Sequence, residues 1–242
     1  MTTVVEAFEG CGYRVRWHVV NAKHFCPQHR ERVYFFGSRS ELDCPAPVWD
    51  NIYASSTRGT EDDKKPTVRD YLEKDHGSSR EVADCELTER QWEMVRRKCD
   101  ERTDGANDSD DDASGGGGAL AERGLEIDLA SAPTLISSYR TPASRSSKLV
   151  MEEADGTPRT GSPLRPRFLT PTEFRRMMGF PETFEVTAPL EVSTNGKGIG
   201  GEAVDGHIYK VLGNAVVPSV VEAIGREIVR IMEGLEENGG PN

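Results

Sequence analysis

Gln28, Arg30 and Arg32 occupy every second position where a polar loop, KHFCPQHRE (23–31), runs into an aromatic and β-branched stretch, RVYFFGSR (32–39). In an extended chain, alternate side chains share a face. Arg30 and Arg32 therefore lie on one side, with Gln28 in line at the loop end. Two guanidiniums on one face are costly to bury without acceptors. They call for phosphates, carboxylates or a base carbonyl, and the planar fork of arginine donors suits all three. The plain alternative is a solvated strand face paired to nearby glutamate, and the spacing alone leaves both open. His24, Cys26 and His29 share the same loop, but H-x-C-x-x-H matches no common zinc spacing, so no metal is expected.

The elements that must position these residues are legible in outline. YRVRWHVVNA (13–22) and RVYFFGSR (32–39) read as strands, antiparallel if the loop between them turns back. Residues 40–66 show no period and read as irregular, and VRDYLEK (68–74) as a short helix. LTERQWEMVRRKC (87–99) reads as a helix with Thr88 as cap and Gln91 in the capping-box position. TPTEFRRMMGF (170–180) has the same logic: Thr170 caps, Pro171 opens the helix, Glu173 completes the box and Gly179 stops it. Residues 185–206 are Gly-rich and read as a loop. Within them, NGKGIGG (195–201) lacks the Lys-Ser/Thr ending of a phosphate loop. PSVVEAIGREIVRIMEGL (218–235) has an apolar face at helical spacing.

Composition sets the outer bounds. The 242 residues are 36% apolar with a net charge of −11, and the mean hydropathy is −0.59. No run of 18 apolar residues marks a membrane span, and MTTVVEAFEGCGYRV has no basic-then-apolar secretory pattern. Five scattered cysteines suggest reduced thiols in an intracellular compartment. The acidity is uneven. DERTDGANDSDDD (100–112) holds seven acids against one arginine and runs on into SGGGGA, so about 100–118 reads as a disordered insertion. Arginines gather instead at 30, 32 and 39 and at 165, 167, 175 and 176, two zones able to meet phosphates.

Three islands, NAKHFCPQHRERVYFFGSR (21–39), RFLTPTEFRRMMGFPETF (167–184) and YKVLGNAVVPSVVEAI (209–224), resemble in this order the last three motif blocks of the cytosine-C5 DNA methyltransferases. The resemblance implies an α/β chain, the C-terminal part of a Rossmann-like S-adenosylmethionine-dependent methyltransferase fold with a target-recognition lobe. It divides the chain into 1–39, the end of the catalytic sheet, 40–166, the variable recognition region, and 167–235, the ninth and tenth motifs with a closing helix. In the eighth motif, Gln-x-Arg-x-Arg, the family role of Arg32 is to lie against the flipped cytosine. Arg30 supports the DNA backbone and catalytic loop, with Gln28 beside them. Flipping is needed because a stacked cytosine exposes neither C5 nor C6. The ninth motif, matched by Arg167, Leu169, Thr170, Pro171, Glu173 and Gly179-Phe180-Pro181, implies an architectural role. The tenth implies that Asn214, Ala215 and Val216 close the pocket for S-adenosylmethionine.

The family's nucleophile sits in Pro-Cys-Gln and its assisting acid in Glu-Asn-Val, and neither tripeptide occurs here. Cys26-Pro27-Gln28 has the same residues in another order, and Cys26 reads as a small buried thiol. The expectation is a chain that begins just after the acid and binds DNA, either a truncated gene product or one half of a split enzyme completed by a partner chain with the N-terminal catalytic motifs. A eukaryotic source would make the compartment nuclear. Two alternatives stay open: a non-catalytic DNA-binding or accessory module, and a tRNA cytosine-5 methyltransferase.

Overall fold

The computed structural model describes residues 2–54, 56, 65–74, 80–100, 127–140, 148–151, 166–185 and 201–237. Helix α1 (Thr2–Gly10) leads into β1 (Tyr13–Asn21). A 3-10 turn at Ala22–His24 and a loop return the chain as β2 (Glu31–Arg39). The strands pair antiparallel, with Trp17 opposite Phe35 and Val19 opposite Val33. Four helices follow: α2 (Trp49–Ala54), α3 (Val68–Tyr71), α4 (Arg80–Asp84) and α5 (Glu89–Asp100). The last three are α6 (Pro171–Met177), α7 (Gly201–Asn214) and α8 (Pro218–Glu237).

The capping signals operate as read. Thr88 and Gln91 exchange hydrogen bonds at the start of α5. At α6 the Thr170 hydroxyl accepts from the Glu173 amide at 3.1 Å, and the Glu173 carboxylate accepts from the Thr170 amide at 2.8 Å. Two helices overlap stretches read as irregular or as loop, α2 within 40–66 and the start of α7 within 185–206. Trp49–Ala54 forms α2 because the Trp49 ring stacks on His18, with centroids 4.7 Å apart, and Ile52 is buried. Gly201–Asn214 forms α7 because Tyr209 and Leu212, three apart, both enter the core. Glycine content hid that spacing, and packing overrides propensity here. The segment at 68–74 is shorter than expected, with helix only over Val68–Tyr71. The reading of 100–118 as disordered lies outside the described residues, except for Asp100.

Among the described residues the core is one cluster that joins segments from Val20 to Val220. Ile127, Ala132, Leu135 and Val150, from the stretch read as a separate recognition region, are buried together with Val20, Phe168 and Leu212. At its centre the Tyr139, Phe174 and Tyr209 rings stand 5.2–5.4 Å apart, tilted or edge to face. The two tyrosines grip Leu169: its amide donates to Tyr139 Oη at 3.0 Å and its carbonyl accepts from Tyr209 Oη at 2.5 Å. Helix α8 packs on α2 through Glu227, which accepts from the Val48 amide at 2.7 Å and from Asn51 Nδ2 at 3.1 Å. Its carboxyl is held down at about 2, chiefly by the Arg230 guanidinium.

The stretch His207–Glu237 is apolar enough by length and composition to cross a membrane, with mean hydropathy 1.2 over its best window. That qualifies the expectation from the sequence. The stretch breaks at Ala215–Val217, however, and buries Tyr209, Leu212, Val220 and Ala223 inside the fold, as core helices do.

Arg167 and Glu173 are both fully buried and meet in a two-pronged pair, Nη1 to Oε2 at 2.8 Å and Nη2 to Oε1 at 2.9 Å. The same carboxylate caps α6 and accepts from the Glu73 amide at 2.8 Å. Removing one partner of a buried pair strands the other charge, at a cost of about 3–5 kcal/mol. Glu173→Ala should lose about that much stability in urea unfolding. A loss below about 1 kcal/mol would mean that the pair is not holding α6 in place.

Candidate nucleic-acid and cofactor platform

The Gln-x-Arg-x-Arg strand entry is where the distant parts of the chain meet. Arg30 is 3% exposed. Its Nη1 donates to the Leu135 carbonyl at 2.8 Å, and its Nη2 to the carbonyls of Gly213 at 3.0 Å and Ala215 at 2.9 Å. One guanidinium thus satisfies three carbonyls from two remote segments. Gln28 is fully buried beside it. Its Oε1 accepts from the Leu135 amide at 3.0 Å, and its Nε2 lies 3.3 Å from Met178 Sδ at the end of α6. The backbone adds to the seam: the Ala132 amide donates to Pro27 O and the His29 amide to Ala132 O, each at 2.8 Å. Asn21 Oδ1 accepts from the amides of Lys23 and Arg30, which fixes both ends of the loop.

Arg32, two residues on, has a different setting. It is exposed at the start of β2, and its Nη1 donates to its neighbour's carbonyl, Glu31 O, at 2.6 Å. Burial separates Arg30 from Arg32, two residues apart at the strand entry. One is committed to backbone carbonyls, while the other faces solvent.

The turn between α7 and α8 is built around Gly213. A Cβ there would come within 2.4 Å of Ile136 C and Ser137 N, so only glycine lets the two segments touch. With the Gly213 and Ala215 carbonyls drawn inward by Arg30, the side chains of Asn214 and Val216 are exposed, Val216 by 54%. Ala215 between them is half-buried against the core. Cys26 is buried, its Sγ is 3.6 Å from Ala22 O, and burial pushes its thiol up to about 11. The other two members of that loop cluster point elsewhere. The His24 ring packs on Tyr53, with centroids 4.8 Å apart, and His29 Nε2 sits 3.0 Å from Asn21 Nδ2.

The sequence profile of the C-5 cytosine-specific DNA methylases matches residues 1–230. This chain belongs to that family. Type II methyltransferase M.DsaV of Dactylococcopsis salina is 26% identical over 247 residues, covering 97% of this chain and 53% of its own length. Type II methyltransferase M.NgoBV of Neisseria gonorrhoeae is 37% identical over 81 residues, covering 31% of this chain and 18% of its own. The chain thus spans about half the length, or less, of the curated relatives it matches. Among solved structures, S. pombe Dnmt2 methyltransferase superposes with a TM-score of 0.60 at 16% identity, covering 97% of this chain and 62% of its own. A Spodoptera frugiperda DNMT2 mutant gives 0.55 at 14% identity, covering 95% and 61%. The fold is that of the α/β methyltransferases.

The residues that sequence reasoning missed are the acceptors. Leu135, Ile136 and the Gly213 carbonyl form the other side of the seam, yet APTLISSYR (132–140) carries no period that marks it. Backbone carbonyls leave no trace in a sequence, and the one signal available was the glycine preceding Asn214.

Gly213→Ala forces a methyl group against backbone that cannot swing aside. Such overpacking costs about 1–3 kcal/mol. The variant should therefore unfold at lower denaturant than wild type with an unchanged slope, and an unaltered midpoint would show that the seam opens freely.

Proposed function

We propose that this chain is the C-terminal part of a cytosine-C5 DNA methyltransferase, supplying the DNA-facing arginine and one wall of the cofactor pocket. The observation that carries the reading is the division of labour between Arg30 and Arg32. A buried Arg30 fixes the strand entry against the tenth-motif turn, and that leaves the exposed Arg32 presented from a rigid base toward a flipped cytosine. Arginine suits the task, since its fork can meet both a base carbonyl and a phosphate.

S-adenosylmethionine, when bound, supplies the methyl group. The turn fits such a ligand. Its carbonyls are already satisfied from within by Arg30, so the outward Asn214 amide and the 54%-exposed Val216 are free to contact a polar and an apolar part of it. Arg30 and Gln28 hold this wall at a fixed distance from Arg32 and touch neither base nor cofactor.

Attack on C6 by a cysteine and assistance at N3 belong to the Pro-Cys-Gln and Glu-Asn-Val motifs, which this sequence does not contain. Cys26 cannot stand in for the nucleophile, because burial holds it as a neutral thiol. The catalytic motifs therefore come from a further polypeptide segment or partner chain. DNA as substrate implies an intracellular site, nuclear in a eukaryote.

Labelled S-adenosylmethionine, duplex DNA and, in parallel, transfer RNA test this reading. The 242-residue chain alone should transfer no label. Completed by a polypeptide with both missing motifs, it should label DNA cytosine. Arg32→Ala should then lower the rate about ten- to a hundredfold, the worth of one hydrogen bond to a charged group, with Arg32→Lys rescuing little. Label in transfer RNA alone, or full activity in Arg32→Ala, would overturn it.

A further inference from the structure

The β1–β2 hairpin carries apolar side chains on both faces. One face joins the core: Val20 is buried, His18 stacks on Trp49, and Tyr34 packs against the central cluster. The opposite face carries Trp17 across from Phe35 and Val19 across from Val33. These four are 47%, 39%, 39% and 39% exposed. At the end of this face α1 lends cover, where the Phe8 and Tyr13 rings meet edge to face at 6.4 Å. Among the described residues the sheet has two strands, so each strand keeps one edge without a strand partner.

A lone hairpin is marginal in water. An antiparallel pair whose outer face meets water alternates apolar-in with polar-out, and here the outer face is apolar at Trp17, Val19, Val33 and Phe35. Contiguous exposed aromatics and β-branched residues in cross-strand register mark an interaction surface. The size of what is absent points to the occupant. The chain uses 97% of itself to match 53% of M.DsaV and 62% of the S. pombe structure, so a unit of similar size completes the family's fold.

We infer that the Trp17, Val19, Val33 and Phe35 face is the seam on which the half of the methyltransferase carrying the Pro-Cys-Gln and Glu-Asn-Val motifs docks. This rests on the reading of the chain as one part of that enzyme. The occupant is an α/β unit that presents an apolar sheet face or helix to these four side chains.

A photoreactive phenylalanine in place of Phe35, in the full chain expressed in its source cells, tests this. A second site at exposed Glu41 serves as control. After irradiation, cross-linked peptides are identified by mass spectrometry. The expected product from position 35 maps to polypeptide containing both tripeptides, with none from position 41. Adding Trp17→Glu should cut its yield by at least about tenfold, since an unpaired carboxylate opposes an apolar seam, while circular dichroism stays unchanged. A cross-link to a second copy of this chain, to nucleic acid, to a protein without the tripeptides, or to nothing overturns the inference. Because the readout is the identity of the neighbour, a correct neighbour with no methyl transfer would contradict the proposed activity and leave the docking surface standing.

Discussion

The arrangement depends on a single cation that is denied water. Arg30 is buried with a full charge, and three carbonyls from residues 135, 213 and 215 surround it. A buried charge without such acceptors costs several kcal/mol, so the three segments cannot separate without exposing it to an unfavourable state. The pull is reciprocal. Carbonyls at the end of α7 lack intrahelical partners, and Arg30 supplies the donors that end the helix and begin the turn to α8. Lysine would bring the same charge as a compact point and lose the fixed fork that reaches two directions at once.

A second buried pair does for α6 what Arg30 does for the strand entry. Glu173 caps its own helix, neutralises Arg167 and accepts from the Glu73 amide, so one carboxylate joins three stretches. Gln28 couples the two centres by reaching Met178 from the strand side and Leu135 from the other. With these contacts made internally, the residues left facing outward are few and specific: Arg32, Asn214 and Val216. The inward set works as scaffold, and the outward set is what a substrate or cofactor can meet.

The sequence announced the strands, the two capped helices and the amphipathic α8, since each rests on local rules of alternation, capping and helical period. It misled at α2 and α7, where Trp49 and Tyr209 are held by partners distant in the chain. It also grouped Arg30 with Arg32 as a DNA-facing pair. Alternation assigns a face but is silent on how deep each end of a strand is buried. The division of 1–39 from 40–166 followed the family resemblance and concerns role rather than packing. Residues 127–135 nevertheless lie against the strand entry through backbone bonds that no side-chain pattern encodes.

The central claim is that Arg30 unites three segments remote in sequence into one platform. Amide hydrogen exchange of wild type and Arg30→Lys, read by mass spectrometry, tests it directly. If the fork holds the platform, protection falls together at 26–30, 132–139 and 212–217, while α6, fixed by its own ion pair, keeps its protection. Loss confined to the residues next to position 30, with the 132–139 and 212–217 segments unchanged, would show that these segments stand without it and would contradict the account.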